Sequence, residues 1–97
     1  MNVAICKTML RLPETQSLKG KRRIISSLCG RIRNKFNVSV AEVDNNDLWQ
    51  TATLGFSCVS NQRGHAEKTI SRIIDFIETT RSDLDMVDVE RETLMGF

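Results

Sequence analysis

The sequence predicts an α+β domain in which four strands and two helices follow one another in the order βαββαβ. Three observations support this prediction. Two long segments repeat apolar residues every three or four positions, four shorter segments are alternating or β-branched, and polar turns separate them. A chain of 97 residues accommodates one hydrophobic core, so we expect a single domain spanning residues 1–97.

The N-terminal part of the chain predicts a strand followed by a helix. Residues 2–12 carry apolar side chains on both parities, as a central strand does, and Pro13 ends the strand because it donates no backbone hydrogen bond. Ser17 is a suitable N-cap for a helix from Leu18 to Phe36. The apolar stripe of this helix consists of Ile24, Ile25, Leu28, Cys29, Ile32 and Phe36.

The remainder of the chain predicts a hairpin, a second helix and a last strand. Residues 37–44 are β-branched and residues 51–60 alternate, so they predict an antiparallel hairpin around the polar turn 45–50. Residues 64–80 repeat isoleucine at helical spacing, and residues 84–91 predict an acidic edge strand. With right-handed crossovers, these elements form a four-stranded antiparallel sheet with both helices on one face, which is the ferredoxin-like arrangement.

The composition excludes several classes of protein. No segment approaches the roughly 18 apolar residues of a membrane span, and Lys7 interrupts the apolar start where a signal peptide would be continuous. Cys6, Cys29 and Cys58 are odd in number and form no CxxC pair, which argues against a disulfide framework and a thiolate metal site. We therefore expect a cytoplasmic protein with reduced thiols and no contact with a membrane.

Charge is distributed unevenly along the chain. Residues 1–41 contain nine basic residues and one acid, for a net charge of +8. Residues 42–97 contain five basic residues and eleven acids, for a net charge of −6. No acid occurs between Glu14 and Glu42, and half of all the basic residues lie on the first predicted helix. Such an asymmetry is typical of a surface that faces a nucleic acid.

A helical projection divides these basic residues into groups. The largest group clusters opposite the apolar stripe and on its flank, and it consists of Lys19, Arg22, Arg23 and Arg33. Arg31 lies on the other flank. Lys21 and Lys35 fall near the apolar sector, where we expect their stems to extend outward. The surface predicts sequence-independent phosphate contact, with RNA or the ribosome as partner. The candidate nucleic-acid-binding residues are Lys19, Lys21, Arg22, Arg23, Arg31 and Arg33.

Two alternatives to RNA binding remain open. In the first, the basic face is merely solvated and paired with acids from elsewhere, such as Glu42, Asp44 or Asp47. In the second, the protein is a homo-oligomeric module, a homodimer for example, that docks through an open, uncharged sheet face with Ile5 or Met9, or through its acidic last strand against a neighbour's basic helix.

The predicted sheet and turn contain few aromatic residues. The exposed parity of the third strand is Thr, Gly and Ser, and Phe56 falls on the core parity, so the sheet lacks the base-stacking platform of an RNA-recognition motif. Trp49 in the turn is either a lid on the core or an exposed anchor, and we retain it as a candidate partner-binding residue.

No catalytic constellation is apparent. His65 is the only histidine, and although Asp47 or Glu67 could orient it, no nucleophile accompanies it at a suitable spacing. The chain also lacks a Gly-rich phosphate loop. We therefore expect no enzyme activity, no cofactor, no metal and no small-molecule substrate.

The segment LPETQSLKGKRRIISSLCGRIRNKFNVSVAEVDNNDLWQTATLGFSCVSNQRGH spans residues 12–65 and contains several long motifs. These motifs resemble the YlxP-like family of small bacterial proteins of unknown function. The resemblance implies a ferredoxin-like fold. The family's genes commonly lie beside those for ribosome maturation and translation initiation, which implies a role around the ribosome or its RNA, and the resemblance brings no known activity. Gly20 departs from the family, which often has Glu there, so the first helical turn is more basic.

Overall fold

The computed structural model describes residues 1–97 and contains the predicted elements in the predicted order. The boundaries lie within three residues of the expected ones, and the α+β class is confirmed. The elements are β1 (Asn2–Arg11), α1 (Leu18–Lys35), β2 (Ser39–Asp44), β3 (Thr51–Ser60), α2 (Arg63–Thr80) and β4 (Asp85–Leu94).

The four strands form one antiparallel sheet in the order β2-β3-β1-β4. β1 pairs with β3 along its whole length, from Asn2 opposite Ser60 to Arg11 opposite Thr51, and its other edge pairs with β4. The two apolar strands, β1 and β3, are therefore central, and the acidic strand β4 is an edge, as the sequence predicts.

The core lies between the sheet and the two helices. Even-numbered side chains of β1 and β3, such as Leu10 and Leu54, are fully buried on the helix side, and odd-numbered ones point to the open side of the sheet. α2 packs over β1 and β3, whereas α1 packs beside β2. Because the helices leave the other side of the sheet free, half of the side chains of β1 and β3 remain on an open face.

An irregularity of β4 changes which of its side chains face the core. Met9 lies opposite Asp88 and Leu10 lies opposite Met86, so Val87 is an extra residue in the pairing. This bulge separates Val87 from the regular alternation of β4 and leaves it 47% exposed. The strand continues to Leu94, three residues beyond its predicted end, because the pairing with β1 continues to Val3.

All three cysteines are free and buried. Burial raises the pKa of the Cys6 and Cys29 thiols above their ordinary value, although nearby Arg91 and Arg33, respectively, act in the opposite direction. No helix is both long enough and apolar enough to span a bilayer.

Candidate nucleic-acid interface

The helix α1 begins with a side-chain cap and no acid. Ser17 is extended, and its Oγ accepts a hydrogen bond of 3.0 Å from the backbone N–H of Gly20. The first turn contains no acidic residue to complement the positive end of the helix dipole. The predicted cap is therefore confirmed, and the cations that follow it lie where the dipole does not favour them.

Four of the predicted residues form one exposed surface, which we call the α1 basic row. Because α1 rises about 1.5 Å per residue, the row extends over roughly 20 Å of helix. Arg33 at its C-terminal end is anchored, since its Nη2 donates to the carbonyl oxygen of Val40 in β2 at 2.8 Å. The row consists of Lys19, Arg22, Arg23 and Arg33, all of them exposed.

No carboxylate neutralises the α1 basic row. The structure contains four salt bridges, and none of them involves a residue of the row. Of the acids that were candidates for pairing, Glu42 binds Lys21 instead, and Asp44 accepts from the backbone N–H of Asn45. The alternative of pairing with acids from elsewhere is therefore confirmed for Lys21, which pairs with Glu42, and does not hold for the four residues of the row.

Arg31 is exposed on a different side of α1 from the row. Its guanidinium lies 5.5 Å from the ring centroid of Phe76 on α2, and Lys35 Nζ lies 4.9 Å from the same centroid. These side chains line an open groove of approximately 520 Å³ between the helices, together with Arg72 and Asp75. The projection is confirmed in placing Arg31 on the other flank, where it belongs to a second basic surface.

The structure removes Lys21 from the candidate interface. Its side chain is fully buried, and Nζ lies 2.7 Å from Glu42 Oε2. It also donates to the carbonyl oxygens of Asn45 (2.7 Å), Leu48 (2.5 Å) and Thr51 (3.0 Å). The expectation that its stem extends outward is wrong, because these oxygens compensate the buried ammonium. The ion pair also satisfies Glu42 Oε2, a buried oxygen with no other partner.

The oxygens around Lys21 come from the loop of residues 45–50 and from Glu42 and Thr51 in the strands on either side of it. We call residues 45–50 the caged loop, because the loop encloses the Lys21 ammonium. Asn45 adopts a left-handed conformation with φ of 61°, which Asn tolerates better than most residues, and its Nδ2 donates to Thr53 Oγ1 at 2.8 Å. At the other end, Gln50 Nε2 donates to the carbonyl oxygen of Thr15 at 3.2 Å, and Gln50 accepts from the N–H of Leu12 at 2.9 Å. The loop is thus fastened at both ends and at its centre.

The caged loop exposes its two largest side chains. Trp49 is 46% exposed and Leu48 is 51% exposed. The interpretation of Trp49 as a lid on the core is therefore wrong. The interior beneath the loop is occupied by the fully buried Lys21 side chain and by the backbone carbonyls that turn inward to bind it. A role for Trp49 in binding a partner remains a prediction.

His65 lies exposed in the first turn of α2. Glu67, one of the two acids that were candidates to orient it, accepts from Arg63 Nε at 3.0 Å instead. No cluster of three His, Cys, Asp or Glu side chains is arranged to hold a metal ion.

The open face of the sheet is partly apolar and partly charged. Val43 of β2 folds over Gly55 of β3, where a Cβ would lie 2.9 Å from Val43 Cγ1. Phe56 is buried on the helix side, so no aromatic ring is available here for stacking. The expectation of an uncharged face is wrong, because the alternation of β1 places Lys7 on this side, where it pairs with Glu90 at 3.3 Å.

Sheet order, helix placement and site together define a ferredoxin-like domain that carries a row of cations without carboxylate partners on its first helix. Three solved structures share the fold. The first is the de novo designed protein Foldit4, with a TM-score of 0.55 and 15% sequence identity over all of both chains. The second is the designed ferredoxin-fold protein LFR1 1, with a TM-score of 0.55 and 12% identity over 99% of this chain and 87% of that chain. The third is a dimeric ferredoxin-like protein from an uncultured marine organism, with a TM-score of 0.52 and 8% identity over 100% of this chain and 99% of that chain.

The sequence comparisons identify the family. A family model described as "Protein of unknown function (DUF503)" matches residues 3–91, so the chain belongs to that family. It is also 40% identical over 63 residues to "Uncharacterized protein YlxP" of Bacillus subtilis (strain 168), a match that covers 65% of this chain and 68% of that protein. The resemblance inferred from the sequence motifs is confirmed.

Proposed function

We propose that this protein binds RNA in the cytoplasm, in association with the ribosome or its RNA, and that the α1 basic row is the contact surface. The observation that supports this most strongly is the set of four exposed cations without a carboxylate partner. Cations along one helix face attract phosphates regardless of base sequence. No catalytic role is part of the proposal.

The position of the row on α1 supports the proposal further. Lys19 and its neighbours lie near the helix N-terminus, where cations oppose the dipole and repel one another. A phosphate bound there would satisfy the free N–H groups of the first turn and the side-chain charges together. The N-terminal cations of the row therefore cost stability in the free protein and gain a favourable partner in a complex with a polyanion.

Binding to a structured ribosomal RNA fragment at several salt concentrations tests the proposal. We expect affinity to fall steeply with salt, and the triple variant Lys19/Arg22/Arg23→Ala to reduce the slope of log affinity against log salt by roughly 2. The matched control is Arg63/Lys68/Arg72→Ala, which removes three cations from α2 and should change the slope much less. Affinity that does not depend on salt, or no binding, would reject RNA as the partner.

Crosslinking in cells, followed by sequencing of the bound RNA, identifies the target. The triple variant on α1 serves as the background sample. Enrichment of ribosomal RNA that disappears in this variant is the expected result. Equal recovery from both proteins would show that the row is not the contact surface.

A second candidate function is self-association through the open face of the sheet. It is favoured by exposed apolar side chains on three strands. Val43 of β2 is 53% exposed, Val59 of β3 is 58% exposed and Leu94 of β4 is 43% exposed. One structural neighbour is described as dimeric, although it shares only the fold with this chain. Light scattering at low and high salt tests this candidate. A dimer held by apolar contacts persists at high salt, whereas a dimer of β4 against α1 dissociates. A monomer at every salt concentration rejects both forms of the dimer.

A further inference from the structure

The Trp49 indole is an exposed aromatic surface held on an immobilised loop. Exposed loops are ordinarily the mobile part of a domain. Here the buried Lys21 ammonium binds the carbonyl of Leu48, immediately before Trp49, and Gln50, immediately after it, bonds to the segment between β1 and α1. The backbone of Trp49 is thus fixed on both sides, and a loop whose backbone is already ordered loses little conformational entropy when a partner binds.

The caged loop lies at the same end of the molecule as the first turn of α1. Lys21, which it encloses, directly precedes Arg22 and lies two residues after Lys19 in the helix. The Gln50 side chain also reaches the carbonyl of Thr15, two residues before the cap of α1. Trp49 is therefore displayed at the end of the molecule where α1 begins, on the side of the helix that Lys21 faces, and the α1 basic row starts at the same end on the opposite side.

Charge within the caged loop indicates which part of a nucleotide would occupy it. Asp47 is exposed two residues before Trp49, and Asp44 is exposed just before the loop. Carboxylates disfavour a phosphate at these positions, whereas the unpaired cations of α1 favour it. An RNA strand at this end of the molecule would therefore place its phosphates on α1 and turn a base toward the indole.

From this arrangement we infer that the RNA recognised by the protein contains an unpaired nucleotide whose base stacks on Trp49 while phosphates of neighbouring nucleotides contact the N-terminal cations of the α1 basic row. The inference rests on the proposed function and adds the class of RNA. Bases within a duplex are stacked on one another, so only a loop, bulge or single-stranded end offers a free base face. The open face of the sheet has no aromatic side chain that would serve instead.

Intrinsic fluorescence tests the inference directly because Trp49 is the only tryptophan. Two RNAs of equal length are titrated, one a hairpin with a single-stranded loop and the other a blunt, fully paired duplex. We expect the hairpin to quench the fluorescence strongly and the duplex to leave it nearly unchanged. Equal quenching by both RNAs, or none by either when both bind, overturns the inference.

Affinity measurements on variants distinguish stacking from a structural role. Trp49→Ala should lower affinity for the hairpin roughly 5- to 150-fold, the range expected for one stacked base, without changing the salt slope or the affinity for the duplex. Trp49→Phe should recover most of the loss because the ring remains. Leu48→Ala is the matched control, since it truncates an equally exposed side chain of the same loop and should leave affinity unchanged.

The variants also separate failure of the inference from failure of the proposed function. If Lys19/Arg22/Arg23→Ala reduces the salt slope while Trp49→Ala binds the hairpin as the wild type does, phosphate binding stands and base stacking is overturned. If neither RNA binds the wild-type protein, both the proposed function and the stacking inference are overturned. If Trp49→Ala instead changes the light-scattering mass without RNA, the indole is a protein contact, and the inference is rejected.

Discussion

The helices α1 and α2 are alike in length and burial but differ in how they carry charge. Each has 18 residues and buries five side chains. α2 carries three cations and three acids, with Arg63 and Glu67 paired one turn apart, as expected of a helix whose charges keep it soluble. α1 carries seven cations and no acid, which is unexplained by solubility alone.

The comparison also shows that the cations of α1 fall into groups with different surroundings. Lys21 is buried and holds the caged loop, the α1 basic row faces solvent without a carboxylate partner, and Arg31 and Lys35 lie against Phe76 in the groove beside α2. Net charge along the sequence does not distinguish these groups. The three predictions below test how the two helices differ in the energetic role of their charges, beginning with the largest effect.

Replacing Lys21 by Met should have the largest effect on stability. The variant leaves the carboxylate of Glu42 largely buried without its counter-ion and leaves the inward carbonyls of the caged loop without a donor. Breaking a buried pair in this way costs about 3–5 kcal/mol, which urea denaturation monitored by circular dichroism measures. Trp49 emission should also change, because the loop that carries it loses its anchor.

Two variants sharpen the result for Lys21. Arg23→Met changes an exposed, unpaired cation of the same helix and should alter the free energy of unfolding by less than about 0.5 kcal/mol. Lys21→Met combined with Glu42→Leu removes both charges and should recover part of the lost stability. If Lys21→Met were as stable as Arg23→Met, the division of α1 into buried and exposed cations would have no energetic meaning.

The behaviour of Lys21 also shows how far the sequence alone leads. Periodicity and turn chemistry are local properties, and they predict the element order, the Ser17 cap and the exposed face of α1. The projection correctly places Lys21 near the apolar sector. It does not reveal that backbone carbonyls and a carboxylate from residues 42–51 converge there, because that arrangement depends on how the hairpin folds back under the helix.

Trp49 and Val87 depend on tertiary structure in the same way. The exposure of Trp49 follows from the inward turn of the loop carbonyls toward Lys21, and the exposure of Val87 follows from the bulge in β4 opposite Met9. A useful signal for Lys21 was nevertheless present, since it is a lysine within an apolar helical sector and Glu42 is the first acid that follows it.

Gly20→Glu should stabilise the protein by about 1 kcal/mol while weakening its binding to RNA. Glycine lowers helix stability, and a glutamate at this position can bond back to the free N–H of Ser17 and complement the dipole. The new Cβ would lie 3.2 Å from Ser17 Oγ, so the cap must shift slightly. The midpoint of urea denaturation and the RNA titration measure the two effects.

Gly64→Glu in the first turn of α2 is the matched control. A Cβ there meets nothing within 4 Å, so it should stabilise α2 without any adjustment of the cap and leave RNA binding nearly unchanged. A loss of stability in Gly20→Glu alone would mean that Ser17 cannot move. Equal loss of RNA affinity in both variants would contradict the assignment of binding to α1.

The smallest effect is expected at the C-terminal end of α2, where the charges are paired. Arg81 donates to both carboxylate oxygens of Asp83, at 2.9 and 2.7 Å, and this contact lowers the pKa of Asp83 below its ordinary value. A carboxyl with a lower pKa in the folded state stabilises the fold above its ordinary pKa and loses that contribution as the pH falls through the folded value.

Asp83→Asn should therefore reduce stability by about 0.5 kcal/mol at neutral pH, a small effect because solvent screens this partly exposed pair. The difference from the wild type should vanish as the pH falls from 3.8 through the lower pKa of the folded state. Thermal denaturation from pH 7 to pH 2 measures it, with Glu78→Gln, an α2 acid outside the four salt bridges, as control. A difference between Asp83→Asn and wild type that stays constant to pH 2 would mean that the pair contributes nothing through its charge, and that pairing does not distinguish α2 from α1.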